Sequence, residues 1–151
     1  MNTEKIMELH KQHRESQSKY TYFLLAASAS AIAFAMQKTT GSTYSWFQLP
    51  LGGAIVLWAL SFYYGCRNIE WVQTAVLANH GLLHLYDGAH PDQPQTPEET
   101  KAAITGTTKA LYSNIENARV CGEKQFNFLI IGAVLFILWH LLEMYKITNG
   151  I

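Results

Sequence analysis

The sequence predicts an all-α integral membrane protein with three transmembrane helices, the second and third extended into a cytoplasmic antiparallel helical hairpin. Three observations predict it. Charge is segregated: the eleven basic and eleven acidic residues lie almost entirely in two blocks, residues 1–19 and 65–124. Around these blocks stand three stretches nearly free of charge, each close to the roughly 20 residues that span ~30 Å of hydrocarbon as a helix. Aromatic residues gather near the ends of those stretches, among them Tyr20, Tyr22, Tyr44, Trp46, Phe47, Tyr63, Tyr64, Phe126, Trp139 and Tyr145, as expected of rings seated at headgroup level. A soluble domain does not sort its charge this way, and the alternative, three buried core helices, fits poorly in 151 residues.

The elements follow in order, within a single structural domain. Residues 1–19 are polar, with Ile6, Met7, His10, His13 and Arg14 at helical spacing. They predict an amino-terminal amphipathic helix that either packs on the hairpin or lies in the membrane interface. A cleavable signal would place its apolar run directly after a basic start, so the first span is expected to be retained. That span is 20–37, and the second is 46–66, with Pro50, Gly52 and Gly53 near its outer end. Residues 67–123 form the hairpin and 124–146 the third span. Of the Lys and Arg residues, nine fall before span one or between spans two and three, against Lys38 and Lys146 on the other side. This bias puts the amino terminus and hairpin in the cytoplasm and the carboxyl terminus in the periplasm or outside, in a bacterial inner membrane.

Within the hairpin, Ile69, Val72, Val76, Asn79, Leu83 and Tyr86 recur at steps of three and four. Ile104, Thr108, Leu111, Ile115 and Ala118 repeat the pattern on the return limb. Aligned antiparallel, these stripes set Ile69 against Ala118, Val72 against Ile115, Val76 against Leu111 and Leu83 against Ile104. Polar Asn79 then faces Thr108, and Arg67, Glu70, Glu116, Arg119 and Glu123 fall at ion-pairing positions between limbs. Asp87-Gly88, Pro91 and Pro94 mark the turn, and Thr96, Pro97 and Glu99 form a capping box that opens the return helix.

Cys66 and Cys121 are the sole cysteines, set opposite each other by that register. A reducing cytoplasm argues against a structural disulfide, leaving a thiol pair or two small buried residues. His80, His84 and Asp87 stand at i, i+4 and i+7, a spacing able to present metal ligands on one face, yet a fourth ligand is missing from the local motif. The expectation is therefore no metal and no cofactor. A haem between spans would want a second histidine facing His140. In span one, Ala27, Ala31 and Ala35 at four-residue steps, with Ser28 and Ser30, make a smooth face for close helix approach. That face serves packing within the chain, subunit contact, or a weakly polar pore wall. His140 and Glu143 share a face near the outer end of span three, where ionisable groups need protein, water or the interface.

Phosphate loops, nucleophile elbows and basic clusters for nucleic acid are absent from the sequence, so neither catalysis nor nucleic-acid binding is expected. Three spans enclose no conduit alone. The first functional expectation is a homo-oligomeric channel or membrane-permeabilising pore, gated or docked through the hairpin. The second is a non-conducting accessory or signalling subunit that recruits a cytoplasmic partner through residues such as Trp71, Leu77, Leu82, Leu85 and Tyr112. In layout alone the chain is similar to small bacterial membrane effectors that couple a few spans to a cytoplasmic helical element and are thought to disrupt the membrane in antiphage defence. Its third span departs from their commoner two-span arrangement.

Overall fold

The computed structural model describes residues 3–41 and 45–149, with the side chains of residues 3–7, 9–11, 13, 14 and 149 outside the described set. The expected stripe of Ile6, Met7, His10, His13 and Arg14, and the interfacial Tyr44, therefore lie outside it. The described chain is helical without strands: α1 (Thr3–Thr39), a short 3₁₀ turn (Trp46–Gln48), α2 (Leu49–Tyr86) and α3 (Pro97–Asn149). All three long helices are long and apolar enough to cross a membrane. The amino-terminal polar segment and first apolar run are one helix, as the lack of an internal Gly or Pro allows.

The helix ends are built from local chemistry. Gly41, at φ +81°, follows the end of α1, a backbone conformation that residues with a Cβ resist. Ser45 caps the 3₁₀ turn, its Oγ accepting from Phe47 N–H at 3.3 Å. At the end of α2, the Ala89 N–H donates to His84 O at 2.9 Å while Gly88 sits at φ +68°, the six-to-one closure of a Schellman motif. The capping box forms in both directions: Glu99 N–H donates to Thr96 Oγ1 at 3.2 Å, and Thr96 N–H donates to Glu99 Oε2 at 3.3 Å.

The chain divides into two units. The first holds the residues up to Cys66 together with those from Gly122 onward. Its core is Ala35, Leu51, Ala54 and Trp58, flanked by Ala31, Ile55, Leu129 and Phe136. The Trp58 indole donates to Leu129 O at 3.2 Å, and its ring packs on Phe136 with centroids 5.6 Å apart. Room for this indole comes from Gly132, where a Cβ would lie 2.7 Å from Trp58 Cδ1 and Nε1.

The second unit is Arg67–Cys121, two helical limbs joined by the 87–96 turn. Asn68 Nδ2 donates to Ala118 O, across fifty positions of sequence, and Gln93 Nε2 reaches Leu85 O. The buried positions are Ala75, Leu85, Ala118 and Cys121. This corrects the expected hairpin core: Ile69, Ile104 and Leu111 are half-buried, but Val72, Val76, Leu83 and Ile115 are exposed. Asn68, one residue before Ile69, reaches the Ala118 carbonyl. The shift of one residue turns the limb by about 100°. Ala75 and Ala118, both buried, are small residues of the kind that let helix backbones approach closely. Two ion pairs run along the helices at i, i+3. Arg67 pairs with Glu70, and Arg119 grips Glu116 with a two-pronged contact at 2.6 and 3.0 Å. The Arg119 hydrogen bond holds the Glu116 carboxyl below its usual range.

The glycines separate two outcomes of one substitution. Gly132→Ala should destabilise the protein by about 1–3 kcal/mol through overpacking against Trp58. Gly106→Ala, in open space within α3, should stabilise it by up to about 1 kcal/mol through helix propensity. Denaturation of both variants in detergent, followed by circular dichroism, checks the signs. A stable Gly132→Ala would show that α2 and α3 do not pack as described.

Candidate functional site

Buried polar groups are costly in an apolar interior, so their positions mark where the first unit is specified. Three are fully buried: Ser28 on α1, Ser61 on α2 and Gln125 on α3. Ser61 Oγ donates to Gln125 O at 2.7 Å. The single proton of Ser28 has two acceptors, Leu24 O at 2.8 Å and Ser61 Oγ at 3.0 Å. Gln125 Nε2 points back to Thr21 O at 3.4 Å, while its Oε1 is buried without a hydrogen-bond partner among the described residues. All three long helices thus meet at one polar knot. Gly65 lies beside it, where a Cβ would come 2.5 Å from Gln125 Nε2 and 2.6 Å from Leu25 Cδ2. Ser61 and Gln125 were missed in the sequence because single polar residues inside or beside apolar runs carry no periodic signal.

The expected small-residue face of span one is buried inside the chain only in part. Ser28 and Ala35 are fully buried, Ala27 and Ala31 are half-buried, and Ser30 remains exposed. Of the pair near the far end of α3, His140 is exposed and lies 6.4 Å, centroid to centroid, from the Trp139 ring. It lines a shallow cleft with Phe34, Lys38, Phe136 and Trp139. Glu143 pairs with Lys146 at 3.4 Å.

In the second unit the surface carries the information. Val72, Val76, Leu83 and Tyr86 are all exposed, at three- and four-residue steps, with Asn79 between them also exposed. Tyr112 and Ile115 are exposed one turn apart on α3. The residues expected to form an outer docking set are split, since Leu77 and Tyr112 are exposed, Trp71 and Leu82 half-buried, and Leu85 buried. Among the described residues, no group of three His, Cys, Asp or Glu is placed to hold a metal. His80 and His84 do come together, with Nε2 atoms 3.1 Å apart, whereas Asp87 lies beyond the end of α2 and outside the cleft they line. Both cysteines are free thiols, Cys66 exposed and Cys121 buried.

The polar knot generates a test with opposite signs. In a double-mutant cycle, Ser28→Ala and Ser61→Ala should show a coupling near the ~0.6 kcal/mol typical of buried interhelical hydrogen bonds in bilayers. Gln125→Leu, which removes an oxygen lacking a partner, should leave stability unchanged or raised. Unfolding free energies in mixed detergent decide the matter, and a loss above about 1 kcal/mol for Gln125→Leu would assign the amide a structural role.

Comparison with protein-family models, with curated proteins and with solved structures finds no match to this chain.

Proposed function

We propose that the protein is a membrane-anchored homo-oligomer whose copies meet through the helical hairpin, and that any conducting path runs between copies. The hairpin and amino terminus face the cytoplasm of a bacterial inner membrane, an assignment that rests on the distribution of Lys and Arg. The observation that carries the reading is the uncovered stripe of Val72, Val76, Asn79, Leu83 and Tyr86. Aliphatic residues repeated along one helix face outside a bilayer call for burial against a partner.

A second copy is the partner that fits best. Identical spans hold every copy at the same depth and in the same direction, so equal stripes face at equal height without a search in three dimensions. The stripe carries no charge that would repel its own image, and Asn79 stands where a self-paired amide fixes register in helical assemblies. The interior of the spanning unit is filled by Leu51, Trp58, Ser28, Ser61 and Gln125, so conduction through one chain has no support.

The same filled interior favours the second reading, a non-conducting accessory or signalling subunit whose stripe takes up a cytoplasmic protein. An antiphage-type membrane effector is one form of it. The two readings separate by assembly and flux. Native mass spectrometry from nanodiscs should find several copies, and Val76→Asp and Leu83→Asp should lower the copy number while helicity is kept. Reconstituted liposomes should leak dye with the native chain and less with those variants. Flux altered by His140→Ala or Glu143→Ala would place the end of span three along the path. A monomer without leakage sinks the homo-oligomer reading and leaves the accessory one.

A further inference from the structure

We propose that His80 and His84 form a two-imidazole site for a divalent transition-metal ion near the carboxyl end of α2. The two residues are one turn apart, which puts both rings on one helix face. Their rings lie close, with centroids 4.4 Å apart and planes inclined by 62°, and the two Nε2 atoms converge to 3.1 Å. That separation is the bite of a chelate. With metal–nitrogen bonds of about 2.0–2.1 Å, it subtends about 100° at the ion, between the right angle of octahedral or square-planar ligation and the wider tetrahedral angle. In the structure a hydrogen bond between the rings spans this distance, and an ion that displaces the shared proton would bridge the same two nitrogens.

The surroundings fix which nitrogens serve. His84 Nδ1 is buried without a hydrogen-bond partner among the described residues, which leaves Nε2 as the nitrogen through which this ring meets a ligand. Leu77, Gly81, Ala89, His90 and Pro91 complete the lining of the cleft. Gly81 lies between the histidines with open space around its Cα, so no side chain fills the approach. His90 is not a third ligand: its Nδ1 accepts the Asp92 N–H at 3.1 Å, which puts the proton of the neutral ring on Nε2. With two protein ligands, the remaining positions fall to water, and imidazole donors favour Cu²⁺, Ni²⁺ and Zn²⁺ over Mg²⁺ or Ca²⁺.

The test is Cu²⁺ titration of the full chain in detergent, purified without a polyhistidine tag and read by electron paramagnetic resonance. One equivalent should bind with splitting from two imidazole nitrogens. His80→Ala and His84→Ala should each remove the two-nitrogen pattern and weaken binding by at least the roughly 10-fold that loss of a supporting group costs. His90→Ala should keep the pattern. Circular dichroism controls for folding, and Ni²⁺ competition gives a second readout. A two-nitrogen signal that survives both single variants, or that disappears instead with His10→Ala, His13→Ala or His140→Ala, overturns the assignment. So does its loss in His90→Ala.

Discussion

The distance at which α2 and α3 pass each other at Trp58 governs the first unit. The indole is the largest group in that core, and it fits because Gly132 presents no side chain to it. Once the helices are that close, the indole reaches the Leu129 carbonyl, Ser61 reaches that of Gln125, and Ser28 on α1 comes within hydrogen-bond range of Ser61. Each contact is modest by itself. Together they satisfy polar groups buried in the core, so the small residues and the polar residues are parts of one packing solution.

The second unit solves the same problem with different residues. Ala75, Leu85 and Ala118 are buried there, while Val72, Val76, Leu83 and Ile115 are left on the outside. An arrangement that turned Val72, Val76 and Leu83 inward would bury their apolar area but hold the backbones further apart. The observed one gives up that area within the chain and leaves it available between chains, which is why assembly, rather than chemistry within one copy, organises the functional reading.

The three apolar helices and both capped ends of the turn were legible in the sequence because each depends on short-range signals: charge-free length, the Asp87-Gly88 pair, and the Thr96 to Glu99 box. Helix rotation was not. A stripe of large apolar residues reports that some surface covers it and is silent on whose surface that is, so Val72, Val76 and Leu83 read as an internal face. Alanine gives no periodic signal strong enough to compete, so the buried Ala75 does not stand out in the sequence. Likewise Ser28 was visible as part of a smooth face, but of its partners in the knot Ser61 stands alone among apolar and aromatic neighbours, and Gln125 follows Glu123 and Lys124 at the polar edge of a span. The convergence of His80 and His84 follows from spacing, whereas the exclusion of Asp87 depends on where α2 unwinds.

Two of the α3 backbone carbonyls that accept from α2 side chains, those of Gln125 and Leu129 in the first unit, are one helical turn apart, as are their donors Ser61 and Trp58. A carbonyl recurs at every turn of any helix, so these bonds do not distinguish one alignment from the next. If α3 slid by a turn, about 5.4 Å, Ser61 would find another acceptor, but a phenylalanine, Phe128 or Phe136, would replace Gly132 beneath the indole. The hydrogen bonds supply adhesion that is blind to position, and the one missing methyl group at Gly132 decides where the helices stop.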